Sequence, residues 1–472
     1  MVAGGTAAGQ ALTMVASPVL TRLFRPEDMG ILAAYTSATG IAGAVCSLSY
    51  HAAIPLPEDD PTAANILGLS LLSAAASSVI ALILCVLFGS SMAARLGAPD
   101  LAPYMLLVPL AVFGLGSYEI LSQWAVRKKN FAGIAKTSVA RAVAQVGMQL
   151  TAGAMQAGPL GLLVGQLAGQ WTGLIRLWRD AWVVDKQMLR SVRVTTLKEA
   201  AWRYRRFPAF VLPAYVFNAI SSNAPPILLL YFFGGATTGM WALGLRAIGL
   251  PFSLVGAAAE KVFYVSAVEA RREGHLAETT CSVFDGLLAI ALPVTLLLAI
   301  AAPEMFAVIF GARWRMAGVY MQWMCLRTGF TLVVFPLMPL TQLLERQHAS
   351  TLFQGVLLVA RVGTLTIGGL LRSAMLAVAL EGAVVGTAWL GLLIYLLAIS
   401  GNRLGRTLSI FGRKLAQAVG LMLPLLVVKF AGAGDLATTG AATLTGLAVL
   451  ATILRSGSLG KVGVTKGAGA GA

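Results

Sequence analysis

Charge is scarce in this chain. Of its 472 residues only 11% are Asp, Glu, Lys or Arg, 58% are hydrophobic, and the mean hydropathy is +0.80. A water-soluble protein of this size cannot hide that much apolar surface, so the solvent for most of it is lipid. Strong period-two alternation is also missing, which argues against a transmembrane barrel and leaves helices as the spanning elements. Histidine is confined to His51, His275 and His348. There is no HExxH, no P-loop and no Ser/His/Asp arrangement that periodicity would gather, so no catalytic residue, no metal ligand and no cofactor is expected. The four cysteines (Cys46, Cys85, Cys281 and Cys325) have neither metal nor redox spacing and lie in or beside apolar runs, as packing residues do. The first 21 residues carry no charge, which excludes a cleavable signal peptide with a basic leader. The first apolar run starts almost at Met1, which leaves room for a leader before it.

Acidic residues are fewer than basic ones, 19 against 35, for a net charge of +16. The surplus does not mark nucleic-acid binding, because the basic residues mostly flank apolar runs and act there as an orientation signal. Those runs are about 20 residues long, the length a helix needs to cross a bilayer. Fourteen candidate spans follow, at roughly 2–23, 29–53, 63–90, 101–123, 134–156, 160–178, 208–232, 238–259, 283–302, 318–341, 350–371, 374–399, 411–430 and 436–454. The expected fold is all-α, a polytopic membrane protein of about 14 transmembrane helices. After Arg455 the chain is a Gly/Ala/Lys tail, 456–472, too poor in apolar bulk to fold.

With the N-terminus placed in the cytoplasm, the turns on that side hold 24 Lys and Arg against 7 outside. This predicts cytoplasmic N- and C-termini and an even number of spans. Every external turn is short, with no room for an extracellular enzyme domain. The longest polar segment, 179–207, carries Trp178, Trp182 and Trp202 at or near its ends among basic residues, and reads as an interfacial helix on the anionic cytoplasmic leaflet.

The two halves of the chain match in order. Pro18, Leu20, Phe24 and Gly30 pair with Pro226, Leu228, Phe232 and Gly239 at an offset of 208–209. Gly97–Ala98 pairs with Gly311–Ala312 at 214, and Leu121-Ser122-Gln123 with Arg127 pairs with Leu340-Thr341-Gln342 with Arg346 at 219. Val139-Ala140-Arg141 pairs with Val359-Ala360-Arg361 at 220, and Gly161, Val164 and Gly165 with Gly382, Val385 and Gly386 at 221. A steadily drifting offset predicts an internal repeat of six spans, both copies entering the membrane in the same direction. The expected organisation is a six-helix bundle at 1–178, a basic connector at 179–207 and a second six-helix bundle at 208–400. Helices 13 and 14 at 401–455 and the tail complete it.

Charges at membrane depth face a partner or an aqueous cavity. Arg246 lies about seven residues into span 8 and Arg327 about nine into span 10, each ~10–15 Å deep at 1.5 Å per residue. Arg141 and Arg361 occupy equivalent places in spans 5 and 11. No acidic residue is close in sequence to Arg246 or Arg327, so these guanidiniums read as unpartnered and suited to phosphate oxygens. Structural ion pairing is the competing reading for the deeper two, snorkelling for Arg141 and Arg361. Glu119 and Glu381 read as the best buried carboxylates, open to coupling with protons or Na⁺ or to neutralising a neighbouring arginine. His51 reads as an interfacial residue. Prolines in or beside spans 7, 8 and 10, among them Pro213, Pro226 and Pro336, permit bends.

Several stretches resemble the oligosaccharide flippase family, the polysaccharide-biosynthesis exporters of the multidrug/oligosaccharidyl-lipid/polysaccharide superfamily. They are TRLFRPEDMG (21–30), YHAAIPLPEDD (50–60), QWAVRKKNFAGIA (123–135), GMWALGLRAIGLPFSLVG (239–256), FGARWRMAG (310–318) and LLERQ (343–347). The resemblance covers roughly residues 1–400. It implies a transporter of two six-helix bundles with a cationic central cavity in the bacterial inner membrane. The implied substrate is an undecaprenyl-pyrophosphate-linked oligosaccharide moved between leaflets, with Arg246 the residue best placed for its pyrophosphate. Anionic membrane lipids, and a polysaccharide polymerase or glycosyltransferases, are the implied partners. One departure is Ser49-Tyr50-His51, where relatives often carry Arg-Tyr-Glu; it puts any gating role of those charges in doubt. Other readings are an ion-coupled drug or small-solute antiporter of the same superfamily, a membrane-embedded polymerase and a non-transporting scaffold.

Overall fold

The computed structural model of the chain describes residues 2–95, 99–190 and 194–455, together with 457 and 460. Among these residues the regular structure is helical, without a strand. Two compact units form, Met1–Ala242 and Leu243–Ala472. The first contains α1 (Val2–Leu23), α2 (Pro26–Cys46), α3 (Asp60–Arg95), α4 (Leu107–Arg127), α5 (Phe131–Ala154), α6 (Gly158–Arg190) and α7 (Val194–Arg203), then the start of α8 (Leu212–Arg272). The second contains the rest of α8, then α9 (Leu276–Phe310), α10 (Arg315–Val334), the single turn α11 (Leu340–Leu343) and α12 (Gln347–Leu370). It ends with α13 (Ala374–Ile399), α14 (Leu404–Phe430) and α15 (Asp435–Arg455). Most of the expected tail 456–472 and the repeat match Gly97–Ala98 lie outside the described residues.

Nine helical stretches among the described residues are long and apolar enough to cross a membrane, which makes this a multi-pass membrane protein. The other five expected spans fall on α1, α4, α5, α6 and the second part of α8. There, glycine, glutamine and charged residues dilute the apolar run.

Two boundaries differ from the hydropathy reading, those of spans 2 and 6. Span 2 was expected to run to residue 53, but α2 stops at Cys46 because Leu48 and Ser49 adopt left-handed backbone (φ 48° and 60°), which no helix can continue. Tyr50–Ala53 forms a separate short turn, with the Oγ of Ser47 against Nδ1 of His51 at 2.6 Å. Spans 7 and 8 were expected as two helices, and α8 is two helical stretches that meet at a kink at Gly234, whose φ of 79° only glycine takes without strain. Span 6 was expected to end at 178, but α6 continues to Arg190. Trp178 and Trp182, one turn apart, stack at 5.8 Å along that extension, which kinks at Asp185 and is followed by the separate helix α7.

In the first unit α5 is the hub, packed against both α6 and α1. Small residues allow it: a Cβ on Gly5 would strike Ala135, and one on Gly165 would strike Gln149. Gly30 of α2 sits against the carbonyl of Gly235, and Gly239 of α8 against the carbonyl of Pro26, so α2 and the start of α8 touch backbone to backbone. The loop before α3 is fastened by Arg127, which donates to the carbonyls of Ile54 and Pro57 and pairs with Asp60 at 2.9 Å. Asp59 accepts the Thr62 amide at 2.7 Å, and the Thr62 hydroxyl and amide hold its carboxyl below the usual carboxylate range.

In the second unit α9 is the hub, contacting α10, α14 and α15. Ion pairs tie α14 to it near both ends. Asp285 meets Arg413 at 3.1 Å and Lys414 at 3.4 Å, while Glu304 meets Lys429 at 3.3 Å.

Candidate functional site

The second unit encloses a cavity of about 390 Å³. One wall is a stripe on α8, where Leu245, Gly249, Phe252 and Gly256 recur at helical spacing. The facing wall is a stripe on α10, where Arg327, Thr328, Thr331 and Leu332 do the same, continued by Phe335 just past its end. Arg361 of α12 and Trp389 of α13 complete it.

Arg327 is 7% exposed and has a partner, Glu381, which is fully buried: Nη1 and Oε1 are 3.1 Å apart. The expectation of an unpartnered guanidinium at Arg327 is therefore corrected. Its partner comes from another helix, 54 positions along the chain, where no local spacing reveals it. Glycine makes the pairing possible. Gly382 lies against the Trp323 carbonyl and Gly386 has the Arg327 backbone N 3.4 Å from where its Cβ would sit, so α13 approaches α10 closely and carries Glu381 alongside Arg327. The contact is one of charge, since neither Glu381 oxygen accepts a hydrogen bond from a described residue. Arg361 lies within electrostatic reach of both.

The remaining polar groups decide what the cavity can hold. The Thr328 and Thr331 hydroxyls donate back to the carbonyls of Met324 and Arg327, each at 2.9 Å, and their protons are committed to the helix. Nε of Arg327 and the indole N–H of Trp389 are buried there with no hydrogen-bond partner among the described residues. Two guanidiniums against one carboxylate leave a net charge of +1. A buried donor without an acceptor is costly, and an anionic oxygen would satisfy it.

The other expected residues stand elsewhere. Arg246 is half-buried on α8, one position from Leu245 but not among the lining residues, and makes no ion pair with a described residue. Arg141 is in the first unit, its guanidinium 3.8 Å from the ring centre of Tyr118. Glu119, expected to be buried, is exposed on α4 beside that tyrosine. It lies within electrostatic reach of Arg141. The structure thus gathers Arg327, Arg361 and Glu381 and leaves Arg246, Arg141 and Glu119 outside the group. Trp389 went unsuspected, although Glu381, Val385 and Trp389 form an i, i+4, i+8 stripe on one face of α13. Among the described residues no group of three or more His, Cys, Asp or Glu could hold a metal ion.

Comparison with known proteins bears on what this arrangement serves. A family model described as polysaccharide biosynthesis protein matches residues 19–318. The fold is similar to that of the lipid II flippase MurJ in an inward closed conformation, with a TM-score of 0.72 at 11% identity, over 96% of this chain and 98% of that one. It is also similar to the inward-facing conformation of a multidrug resistance MATE family transporter of the MOP superfamily. There the TM-score is 0.56 at 16% identity, over 83% of this chain and 94% of that one. No curated protein matches the chain. At these identities the likenesses show a shared fold.

Proposed function

The chain belongs to the polysaccharide biosynthesis protein family, and on that premise we propose that it is a flippase for lipid-linked oligosaccharides. The substrate is an undecaprenyl-pyrophosphate-linked precursor of O-antigen, capsule or exopolysaccharide, carried across the bacterial inner membrane by alternating access. The observation that carries this reading is the cavity holding Arg327, Arg361 and the unpartnered indole N–H of Trp389. A diphosphate brings several anionic oxygens that a pair of guanidiniums binds with paired hydrogen bonds.

Glu381 has a role in this scheme. It occupies Arg327 in the absence of substrate, so an arriving phosphate competes with it for the guanidinium. A displaced, fully buried carboxylate without its countercharge is costly, and Glu381 is on that ground proposed as the ion-coupling residue. Binding is thereby coupled to an ion. Arg246, Arg141 and Glu119 are proposed as secondary contacts along the path, and a polymerase or glycosyltransferases as the neighbours that consume or supply the substrate. The termini are placed in the cytoplasm by the distribution of Lys and Arg.

An ion-coupled antiporter of drugs or small solutes is the second reading, favoured by the likeness to the MATE fold. Complementation separates the two. In a flippase-null strain the wild-type chain is expected to restore surface polysaccharide, and the Arg327→Ala/Arg361→Ala variant at equal protein level is expected not to. Restored drug efflux without polysaccharide would support the antiporter instead.

A further inference from the structure

The first unit carries a second cationic site, far from the Arg327 cavity in sequence and built from different helices. It is a groove of about 840 Å³ between the first turns of α5 and the last turns of α6. Lys136 reaches it from α5, and Arg176 and Arg179 from α6. All three are exposed, and none makes an ion pair with a described residue. Their neighbours behave differently, since Arg127 and Lys128 are both held by Asp60, and Lys128 also by Asp185 at 3.1 Å. Burial works against the Lys128 ammonium, but those carboxylates outweigh it and raise its pKa. Asp60 and Asp185 therefore fix Arg127 and Lys128, while Lys136, Arg176 and Arg179 stand around the groove without an ion-pair partner among the described residues. Asp180 is the one carboxylate lining it, which leaves an excess of two positive charges.

What flanks the groove identifies the occupant. Ile175 is 60% exposed, Val183 73% and Val184 77%, all on the α6 face that lines it. Trp178, exposed and stacked on Trp182, stands beside them on α6, as tryptophans do at the boundary between hydrocarbon and headgroups. Three unpaired cations with bare aliphatic side chains beside them match an amphiphile with a phosphate at its head. They do not match free phosphate, which gains nothing from the isoleucine and valines, nor nucleic acid, which has no use for a site at acyl-chain level. The start of α5 adds to the attraction. A helix N-terminus carries partial positive charge, and only part of it is satisfied by Asn130, whose Oδ1 accepts the Gly133 amide at 2.9 Å.

We propose that this groove is a binding site for an anionic glycerophospholipid of the surrounding leaflet. Its phosphodiester is held by Lys136, Arg176 and Arg179, and its chains lie along Ile175 and Val183. The site is independent of the substrate proposed above, because none of its residues lines the Arg327 cavity.

Native mass spectrometry of the purified full chain tests it, with phosphatidylglycerol and phosphatidylcholine added at equal concentration. Phosphatidylglycerol adducts are expected to be retained in preference. Lys136→Gln, Arg176→Gln and Arg179→Gln are each expected to lower retention by about fivefold. The triple variant is expected to fall to the phosphatidylcholine level, and Arg176→Lys/Arg179→Lys to keep the preference. Added salt should erode it. Equal retention of the two lipids by the wild-type chain would overturn the proposal, as would undiminished retention by the single variants, which are expected to fold even if the triple one does not. Displacement by millimolar inorganic phosphate would reassign the site to a free anion, and preference for undecaprenyl diphosphate would reassign it to the substrate. Arg327→Ala/Arg361→Ala is expected to leave phosphatidylglycerol retention unchanged, so loss of transport and loss of this site are separable.

Discussion

Glu381 and Arg327 are 54 residues apart in sequence and 3.1 Å apart in space, the first fully buried and the second nearly so. A pair in that setting is weak as a source of stability and strong as a constraint. Breaking it leaves an uncompensated charge, whereas removing both partners does not. Glu381→Leu alone is therefore expected to cost about 3–5 kcal/mol. Arg327→Met/Glu381→Leu together should recover most of that loss while abolishing transport. Thermal unfolding in detergent reads the first effect, and equal destabilisation in the single and double variants would contradict it.

Gly30 and Gly239 match each other in the internal repeat, and in the first unit both serve the same crossing of α2 with the start of α8. A side chain at either position meets backbone, which cannot rotate away. Gly30→Val and Gly239→Val are each expected to cost about 1–3 kcal/mol or to separate the helices. Replacement at Gly4, where a Cβ would meet nothing within 4 Å, should be neutral. Monodispersity and unfolding temperature of the three variants make the comparison.

The tie between α14 and α9 is uneven. Lys414 and Asp285 are largely buried where they meet, at 12% and 9% side-chain exposure, whereas Arg413 is 62% exposed. Asp285→Asn should then release the Lys414 end of α14, raising hydrogen exchange over its first half and lowering stability by about 1.5–3 kcal/mol. Arg413→Gln should have little effect.

Stacking of Arg141 on Tyr118 uses the flat guanidinium face, which an ammonium lacks. Arg141→Lys is expected to weaken that contact by about 0.5–2 kcal/mol despite keeping the charge. If the residue serves only to supply positive charge, lysine will export polysaccharide at the wild-type rate. A role that depends on the stack predicts a reduced one.

Local information made the helices legible and left their partners hidden. Hydropathy places α13 at 374–399, where the structure has it, because the Ser373 hydroxyl caps the helix by accepting the Leu376 amide and the apolar run is uninterrupted between polar turns. It overruns α2 because Leu48 is as apolar as any helical leucine, and only its left-handed backbone ends the helix. It divides α8 where the structure does, because Gly234 takes a backbone that breaks the helix between the two apolar runs. It stops α6 too early because the apolar run fades near Trp178 while the helix continues past it to the kink at Asp185. The arginines at depth stood out by their cost in hydrocarbon. Which of them would meet could not be read, since the answer rests on how closely Gly382 and Gly386 let α13 approach α10.

The central claim is that Arg327 and Arg361 hold the diphosphate of a lipid-linked oligosaccharide during transfer between leaflets. Its most direct test is a proteoliposome assay with a labelled undecaprenyl-diphosphate oligosaccharide, scoring arrival in the opposite leaflet by access to an impermeant reagent. The wild-type chain is expected to move it, and Arg327→Ala/Arg361→Ala to do so at least about tenfold more slowly. Transfer at the same rate with and without those two arginines would contradict the account.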